Sequence, residues 1–216
     1  MKIQILLADD HQIIRDGLRA LLEKEPGVEV IAEATNGLAA VELAEKFKPD
    51  IAIMDLTMPD LNGIEAARRI CATSTKTKII ILSMHSDRRF IAEALKAGSS
   101  AYLLKDCAFE ELIDAIQTVM RKQVYLTPQI AKIILKDYVK GLQYENPSAF
   151  TLLTERERQV LQMIAEGKTT KVVASDLKIS VKTVETYRHR IMEKLDLDNL
   201  ADLVKYAIRE GLTSLE

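Results

Sequence analysis

At four places in the first half of the chain, polar side chains stand directly after a short apolar run. Ile3–Leu7 leads to Asp9 and Asp10, Ile51–Met54 to Asp55, Ile79–Leu82 to Ser83, and Ala101–Leu104 to Lys105. Each residue has a plain structural alternative. Asp10 can cap a helix, Asp55 can begin a turn before Pro59, Ser83 can end a strand, and Lys105 can be a solvated cation. Singly, these alternatives are as good as any functional reading. Jointly, they require five polar residues to fall at four run ends by accident.

If the runs are parallel strands of one sheet, the five residues converge on one edge, and the electrostatics then demand a cation. Two unit charges about 4 Å apart repel by roughly 4 kcal/mol at an effective dielectric near 20. Three carboxylates facing only Lys105 are underneutralised, and a hard divalent ion with oxygen ligands corrects this. Mg2+ takes one or two carboxylates, a carbonyl and waters alongside substrate phosphate oxygens. Beside such an ion and an ammonium, Asp55 is equipped to attack phosphorus. Both positive groups would stabilise charge on the transferring phosphoryl oxygens. The chemistry is that of a phosphoryl acceptor.

The surrounding pattern supplies those strands. Residues 1–123 alternate short apolar runs with amphipathic stretches: Ile13–Glu23, Leu38–Lys46, Ile64–Ala72, Arg89–Ala97 and Phe109–Arg121. Four runs are near-continuously apolar, as strands buried on both faces must be. A fifth, Val28–Ala34, carries Glu29 and Glu33 and reads as an edge strand. Five β-then-α units predict an α/β fold with a doubly wound, five-stranded parallel sheet, whose functional crevice lies at the strand C-termini.

Residues 124–150 read as a connector with one helix, Gln129–Tyr138, and turn signals at Gly141 and Asn146-Pro147-Ser148. From residue 151 the pattern is helical throughout. Thr154 and Glu157 form a capping box, and the helix they open stops at Gly167. A short helix, Thr170–Leu177, is followed by a tight turn. Ser180 caps Val181–Leu195, and Asn199 caps a last helix ending near Gly211. Residues 151–216 thus predict a small all-α domain of four helices. Within Lys168–Lys194 there are 7 basic and 3 acidic residues, in a chain of net charge −2. A local basic patch is compatible with a polyanionic partner, although charged helix faces are more often merely solvated.

Composition excludes other classes. About half the residues are hydrophobic and 29% are charged, as in folded globular chains. The apolar runs fall far short of the roughly 20 residues that span a bilayer, and no leader pattern opens the chain. No membrane role and a cytoplasmic address are expected. Cys71 and Cys107 lack CxxC spacing and read as core thiols.

The strings Ile5-Leu6-Leu7-Ala8-Asp9-Asp10-His11, Met54-Asp55-Leu56-Thr57-Met58-Pro59 with Asn62-Gly63, Ile81-Leu82-Ser83 and Tyr102-Leu103-Leu104-Lys105 resemble the receiver domain of response regulators over residues 1–123. The resemblance implies Asp55 as phospho-acceptor and Asp10, Asp55 and the Thr57 carbonyl as ligands of Mg2+. It places Asp9 in the acidic pocket, Lys105 on the phosphoryl group, and Ser83 and Tyr102 at the switch positions. Thr57 and His85 fall where side chains tune dephosphorylation. A phosphatase of the haloacid dehalogenase-like class also forms a phospho-aspartate, but its nucleophile lies in an Asp-x-Asp motif after strand one. Here that position reads Asp9-Asp10-His11. The chain is not expected to be an enzyme.

Leu153-Thr154-Glu155-Arg156-Glu157, Ala165-Glu166-Gly167-Lys168, Ile179 through Thr186 and Ile191 through Leu195 resemble the LuxR-type helix-turn-helix. Together the two halves look like a NarL/FixJ-subfamily transcriptional regulator. The resemblance implies a recognition helix, Val181–Leu195, in the major groove of double-stranded DNA and homodimerisation through the last helix. Glu185, Thr186 and His189 are candidates for base edges. Lys168, Thr169, Lys182, Thr183, Arg188, Arg190 and Lys194 are candidates for phosphate. Tyr187, Val172 and Asp196 depart from the usual His, Glu and Gly, and Asp196 and Asp198 would repel a duplex they faced. A sensor histidine kinase or small phosphodonor is the implied upstream partner. Two rivals stay open: a DNA-binding protein indifferent to phosphate, and a helical domain that docks a protein instead of DNA.

Overall fold

The computed structural model describes residues 2–74, 76–140 and 149–213. The expected turn signals at Gly141 and Asn146-Pro147-Ser148 lie outside the described residues, as does the side chain of Tyr138. The chain divides near residue 144 into two compact units. No helix among the described residues is long and apolar enough to cross a membrane.

In the first unit, strands β1 (Ile3–Ala8), β2 (Val28–Ala34), β3 (Ile51–Asp55), β4 (Lys78–Ser83) and β5 (Ala101–Leu104) alternate with helices α1 (Gln12–Leu22), α2 (Gly37–Phe47), α3 (Gly63–Thr73), α4 (Arg88–Lys96) and α5 (Phe109–Met120). The pairings among these strands are parallel, and their order is β2-β1-β3-β4-β5. Every residue of β3 is buried, so its side chains face apolar layers on both sides, as its unbroken run anticipates. The edge strand is β2: Glu29 is exposed, and Glu33 is tied to Arg15 at 3.0 Å. One face of the core gathers Ile5, Leu7, Ile53, Ile80, Leu82 and Leu103 beneath Leu112, Ile116 and Val119 of α5.

The sheet carries one strand more than expected. β6 (Tyr125–Leu126) lies in the stretch read as connector and pairs with β5 through Ala101 and Tyr102. Two residues are too short a run to leave a periodic signal, so this strand was not legible. Pro128 then opens α6 (Pro128–Lys140), where a proline is tolerated because the first N–H groups have no helical partner. Thr127 accepts from the Ile130 amide at 3.3 Å, and fully buried Ile130 belongs to a helix packed against α4. Cys71 and Cys107 are unpaired and half-buried, and burial pushes both thiols up.

The second unit holds a one-turn helix, α7 (Ala149–Leu152), and the four expected helices: α8 (Glu155–Ala165), α9 (Thr170–Asp176), α10 (Val181–Leu195) and α11 (Leu200–Arg209). The capping box forms as its sequence anticipates, with the Thr154 hydroxyl accepting from the Glu157 amide and Glu157 accepting from the Thr154 amide. Ser180 and Asn199 cap α10 and α11. Val160, Leu161, Val173, Val184, Ile191 and Leu203 form the core. Lys178 makes the tight turn between α9 and α10 with φ 54°, so a non-glycine residue occupies the left-handed region there.

Candidate functional site

Parallel register alone brings the polar cluster together. Ala8 pairs with Met54, Asp55 with Leu82, and Ser83 with Leu104, so each of the next residues emerges on the same sheet edge. Lys105 Nζ stands 2.7 Å from Asp9 Oδ2 and 3.0 Å from Asp55 Oδ2, with all three side chains buried. Asp55 Oδ1 accepts from the Leu56 amide at 2.7 Å, and Asp9 Oδ1 from the His11 amide at 2.9 Å. Arg15 supports the loop from α1 by donating to the Asp9 carbonyl at 2.8 Å.

One ammonium does not satisfy this cluster. Asp10 Oδ1 is buried and accepts no hydrogen bond. Ligand atoms from Asp9, Asp10, His11 and Asp55 lie within 4.8 Å of one another. Burial, reinforced by Asp9, pushes the Asp55 carboxyl up to about 6 despite the pull of Lys105. Burial lowers Lys105 in turn, but Asp55 and Asp9 outweigh it and hold the ammonium above its ordinary value. An under-satisfied oxygen and a carboxylate that resists ionisation fit a divalent cation with oxygen ligands. Thr57, two residues past β3, is half-buried in the loop that leaves the site.

Gly63 explains why that loop keeps its shape. A Cβ there would meet the Asp55 carbonyl oxygen at 2.1 Å, and the Gly63 amide donates to Leu56 at 2.8 Å. Asn62 caps α3 by accepting from Glu65. The Asn62-Gly63 pair therefore closes the loop after Asp55 onto its own strand end.

Ser83 ends β4, and its hydroxyl oxygen accepts from the His85 amide at 3.0 Å. Tyr102 already lies inward in this structure, fully buried, with its hydroxyl donating to the His85 carbonyl at 2.7 Å. Burial pushes the phenol up to about 12, so it stays a donor at physiological pH. The His85 ring packs edge-on against Phe90 of α4, with centroids 5.1 Å apart.

In the second unit α10 shows an exposed face to solvent. Lys182, Glu185, Thr186, Arg188, His189 and Arg190 are exposed, while Val184 and Ile191 are buried. A shallow cleft at the start of the helix is lined by Ser180, Lys182, Thr183, Thr186, Tyr187 and Arg190. Tyr187, which the sequence marks only as a departure from the usual histidine, is part of this lining. Its place three or four residues from Thr183 and Arg190 could have flagged it.

The candidates are not all equally available. Lys194 Nζ is 2.7 Å from Glu157 Oε2, the carboxylate of the capping box, so this amine holds α10 to α8. A contact of Lys194 with DNA phosphate would have to draw the amine away from this carboxylate. Thr169 caps α9 by accepting from Val172, and Lys168 Nζ lies 3.3 Å from Asp176. Asp196 takes the left-handed position after α10 with φ 53°, which accounts for the glycine usual there.

Residues 5–117 match the response regulator receiver domain family, and residues 151–207 match the bacterial regulatory proteins of the luxR family. The chain is a response regulator of the NarL/FixJ type. It is 38% identical to the transcriptional regulatory protein LiaR of Bacillus subtilis strain 168, over 98% of this chain and 100% of that one. It is 36% identical to the response regulator UvrY of Escherichia coli K12, over 99% and 97%. Among solved structures it resembles RcsB of Salmonella typhimurium, with a TM-score of 0.60 at 25% identity over 95% and 97% of the two chains. It also resembles ChrA of a heme-sensing two-component system, with a TM-score of 0.54 at 28% identity over 98% of both. The response regulator thus carries a receiver fold followed by a LuxR-type DNA-binding domain.

Proposed function

We propose that this response regulator accepts a phosphoryl group on Asp55 and thereby controls dimerisation and DNA binding by its helical domain. The observation that carries the reading is the buried Lys105 amine held between Asp9 and Asp55 at a strand edge. A carboxylate oxygen of Asp55 attacks the phosphorus of a kinase phosphohistidine or small acyl phosphate. The donor's bond to phosphorus breaks, its electron pair leaves with the donor, and an acyl phosphate forms on Asp55. Lys105 pairs with the transferred oxygens, and Asp9 holds that ammonium in place.

Asp10, Asp55 and the Thr57 carbonyl would hold Mg2+, which supplies charge neutralisation at the phosphoryl oxygens. The remaining work falls to the chain itself. Ser83 turns its hydroxyl to donate to a phosphoryl oxygen, giving up its acceptor contact with the His85 amide. The His85 peptide then moves, and with it the anchor of Tyr102 and the contact to Phe90 of α4. Because α6 packs on α4, the movement reaches the connector that leads to residues 151–216.

Two copies paired through α11 would each place α10 in a major groove, on half-sites about one helical turn apart. Glu185, Thr186 and His189 read bases, and Lys182, Thr183, Arg188 and Arg190 meet phosphate, with Lys168 and Thr169 at the margin. A sensor kinase and double-stranded DNA are the partners, and the cytoplasm is the setting.

The test is uptake of phosphate from acetyl phosphate with Mg2+, read by intact-protein mass. Wild type should gain one phosphoryl group and Asp55→Asn none. Undiminished incorporation in the variant would overturn the site.

A further inference from the structure

Both backbone groups of Asp9 are tied down just beyond the end of β1. Its amide donates to the Ala34 carbonyl at 3.1 Å, and its own carbonyl accepts from Arg15 at 2.8 Å. In a parallel ladder the next donor along β2 would serve that carbonyl, but β2 ends at Ala34. The Arg15 guanidinium supplies the donor instead, while its Nε donates to Glu33 Oε2 of β2 at 3.0 Å. One planar fork thus ties α1 to Asp9 and to the edge strand. Helix formation does not explain an arginine here, because a cation in the first turn of α1 opposes the helix dipole. Holding α1 to β2 is served from outside by Arg19, a half-exposed side chain that reaches Glu33 and Glu23. Arg15 is only 12% exposed. Together with Asp9 and Asp55 it borders a cavity with about 10 Å3 of room for the centre of a water. Asp9 therefore has space to shift into once the guanidinium is removed.

We propose that Arg15 is a positioning residue for phosphoryl transfer: through the Asp9 carbonyl it sets where Asp9 holds the Lys105 ammonium against Asp55. The inference rests on the reading of Asp55 as the phosphoryl acceptor, and it names the residue that fixes the acceptor's surroundings from behind. The chain of contacts is short. Arg15 holds the Asp9 carbonyl, Asp9 Oδ2 stands 2.7 Å from Lys105 Nζ, and Lys105 Nζ stands 3.0 Å from Asp55 Oδ2. Misplacing a reacting group by about 1 Å can cost about a hundredfold in rate. Capture of a small acyl phosphate depends less on that exactness, so the loss falls on the limiting rate. Glu33 acts one step further back, by aiming the guanidinium.

The experiment follows phosphorylation of the full-length protein by acetyl phosphate at saturating Mg2+, and separates the limiting rate from KM. Arg15→Met keeps the bulk of the side chain and removes the fork. Its limiting rate should fall about tenfold or more, with KM changed less than about twofold. Arg15→Lys, whose amine lacks the planar fork for both acceptors, should recover only part of that loss. Arg19→Ala should stay within about twofold of wild type. Glu33→Ala should slow the reaction severalfold, yet slow Arg15→Met no further, because it acts through the same guanidinium. Thermal denaturation checks that each variant is folded, and Glu33→Ala carries the test if Arg15→Met is not. A wild-type rate in folded Arg15→Met would overturn the proposal, as would a loss confined to KM or an equal loss in Arg19→Ala. Where Arg15→Met does not fold, a wild-type rate in Glu33→Ala would do the same. In each of these cases Asp55 remains the acceptor. Absence of uptake by wild type would overturn the acceptor reading, and this proposal with it.

Discussion

The Tyr102 hydroxyl donates to the His85 carbonyl oxygen at 2.7 Å. The amide of that same residue donates to Ser83 at the end of β4. The backbone of one residue, His85, therefore joins Ser83 at the end of β4 to Tyr102 on β5. Ser83 and Tyr102 are thus linked through the His85 backbone, and Tyr102 already lies inward. A signal would pass by displacement of the His85 peptide.

Tyr102→Phe keeps the buried ring and removes only the donor. The His85 carbonyl loses one partner, which should lower unfolding free energy by about 1 kcal/mol. Phosphate uptake should persist, because Asp55 and Lys105 are untouched. The ratio of DNA affinities with and without acetyl phosphate should shrink, as read by fluorescence anisotropy on an operator fragment. An unchanged ratio would remove Tyr102 from the switch.

The raised Asp55 carboxyl gives a pH-dependent stability with a definite sign. Its value is about 6 in the folded chain against 3.8 as the ordinary value, so the folded state binds the extra proton between those limits. This contribution is fully present below about 3.8 and is lost as pH rises through about 6. Without metal, Asp55→Asn should therefore be more stable than wild type at pH 7.5, by on the order of 2 kcal/mol. The gap should close as the pH falls to 4. Chemical denaturation in a chelating buffer at several pH values checks this, and a gap that widens on acidification would contradict the burial argument.

Much of this site could be read from strand ends. Asp9, Asp10, Asp55, Ser83 and Lys105 follow apolar runs, and parallel register must bring such residues to one edge. What escaped depends on three-dimensional coincidence. β6 is two residues long and is recruited only because β5 offers an unpaired edge at Ala101 and Tyr102. Lys194 falls among the basic residues on a helical wheel, and only the fold shows its amine reaching Glu157, thirty-seven residues earlier. Tyr187 joins the α10 cleft because the helix start is open to solvent, which a count of basic residues does not register. The inward Tyr102 depends on the position of the His85 carbonyl, and no local pattern encodes that.

Gly63 carries a steric prediction. A methyl group at this position would stand 2.1 Å from the Asp55 carbonyl oxygen, and the obstacle is backbone that cannot rotate aside. Gly63→Ala should destabilise the receiver by at least about 1–3 kcal/mol. It should also slow phosphorylation of the protein that remains folded, because α3 must retreat from the acceptor loop. Initial rates with acetyl phosphate, taken well below the unfolding midpoint, separate the two effects. A normal rate in a folded variant would show that the loop tolerates displacement.

Lys194 and Arg190 share a helix and a charge, but the structure gives them different work. Arg190 is exposed in the cleft at the start of α10, whereas Lys194 Nζ holds the buried Glu157 carboxylate at 2.7 Å. Burial would raise Glu157, but Lys194 and Thr154 outweigh it and hold the carboxyl below 4.5. A depressed carboxyl contributes stability above its unfolded value and loses it as pH falls through the folded one. Lys194→Ala should thus cost about 1 kcal/mol at pH 7, since the lysine is partly solvated, and that cost should shrink as acid protonates the Glu157 carboxylate. Its dependence of DNA affinity on salt should match wild type. Arg190→Ala should leave stability unchanged, weaken binding to every sequence and reduce the salt slope by about 0.9. If Lys194→Ala lowers the slope equally, the lysine leaves Glu157 to meet the duplex, and its pairing in the free protein does not survive binding.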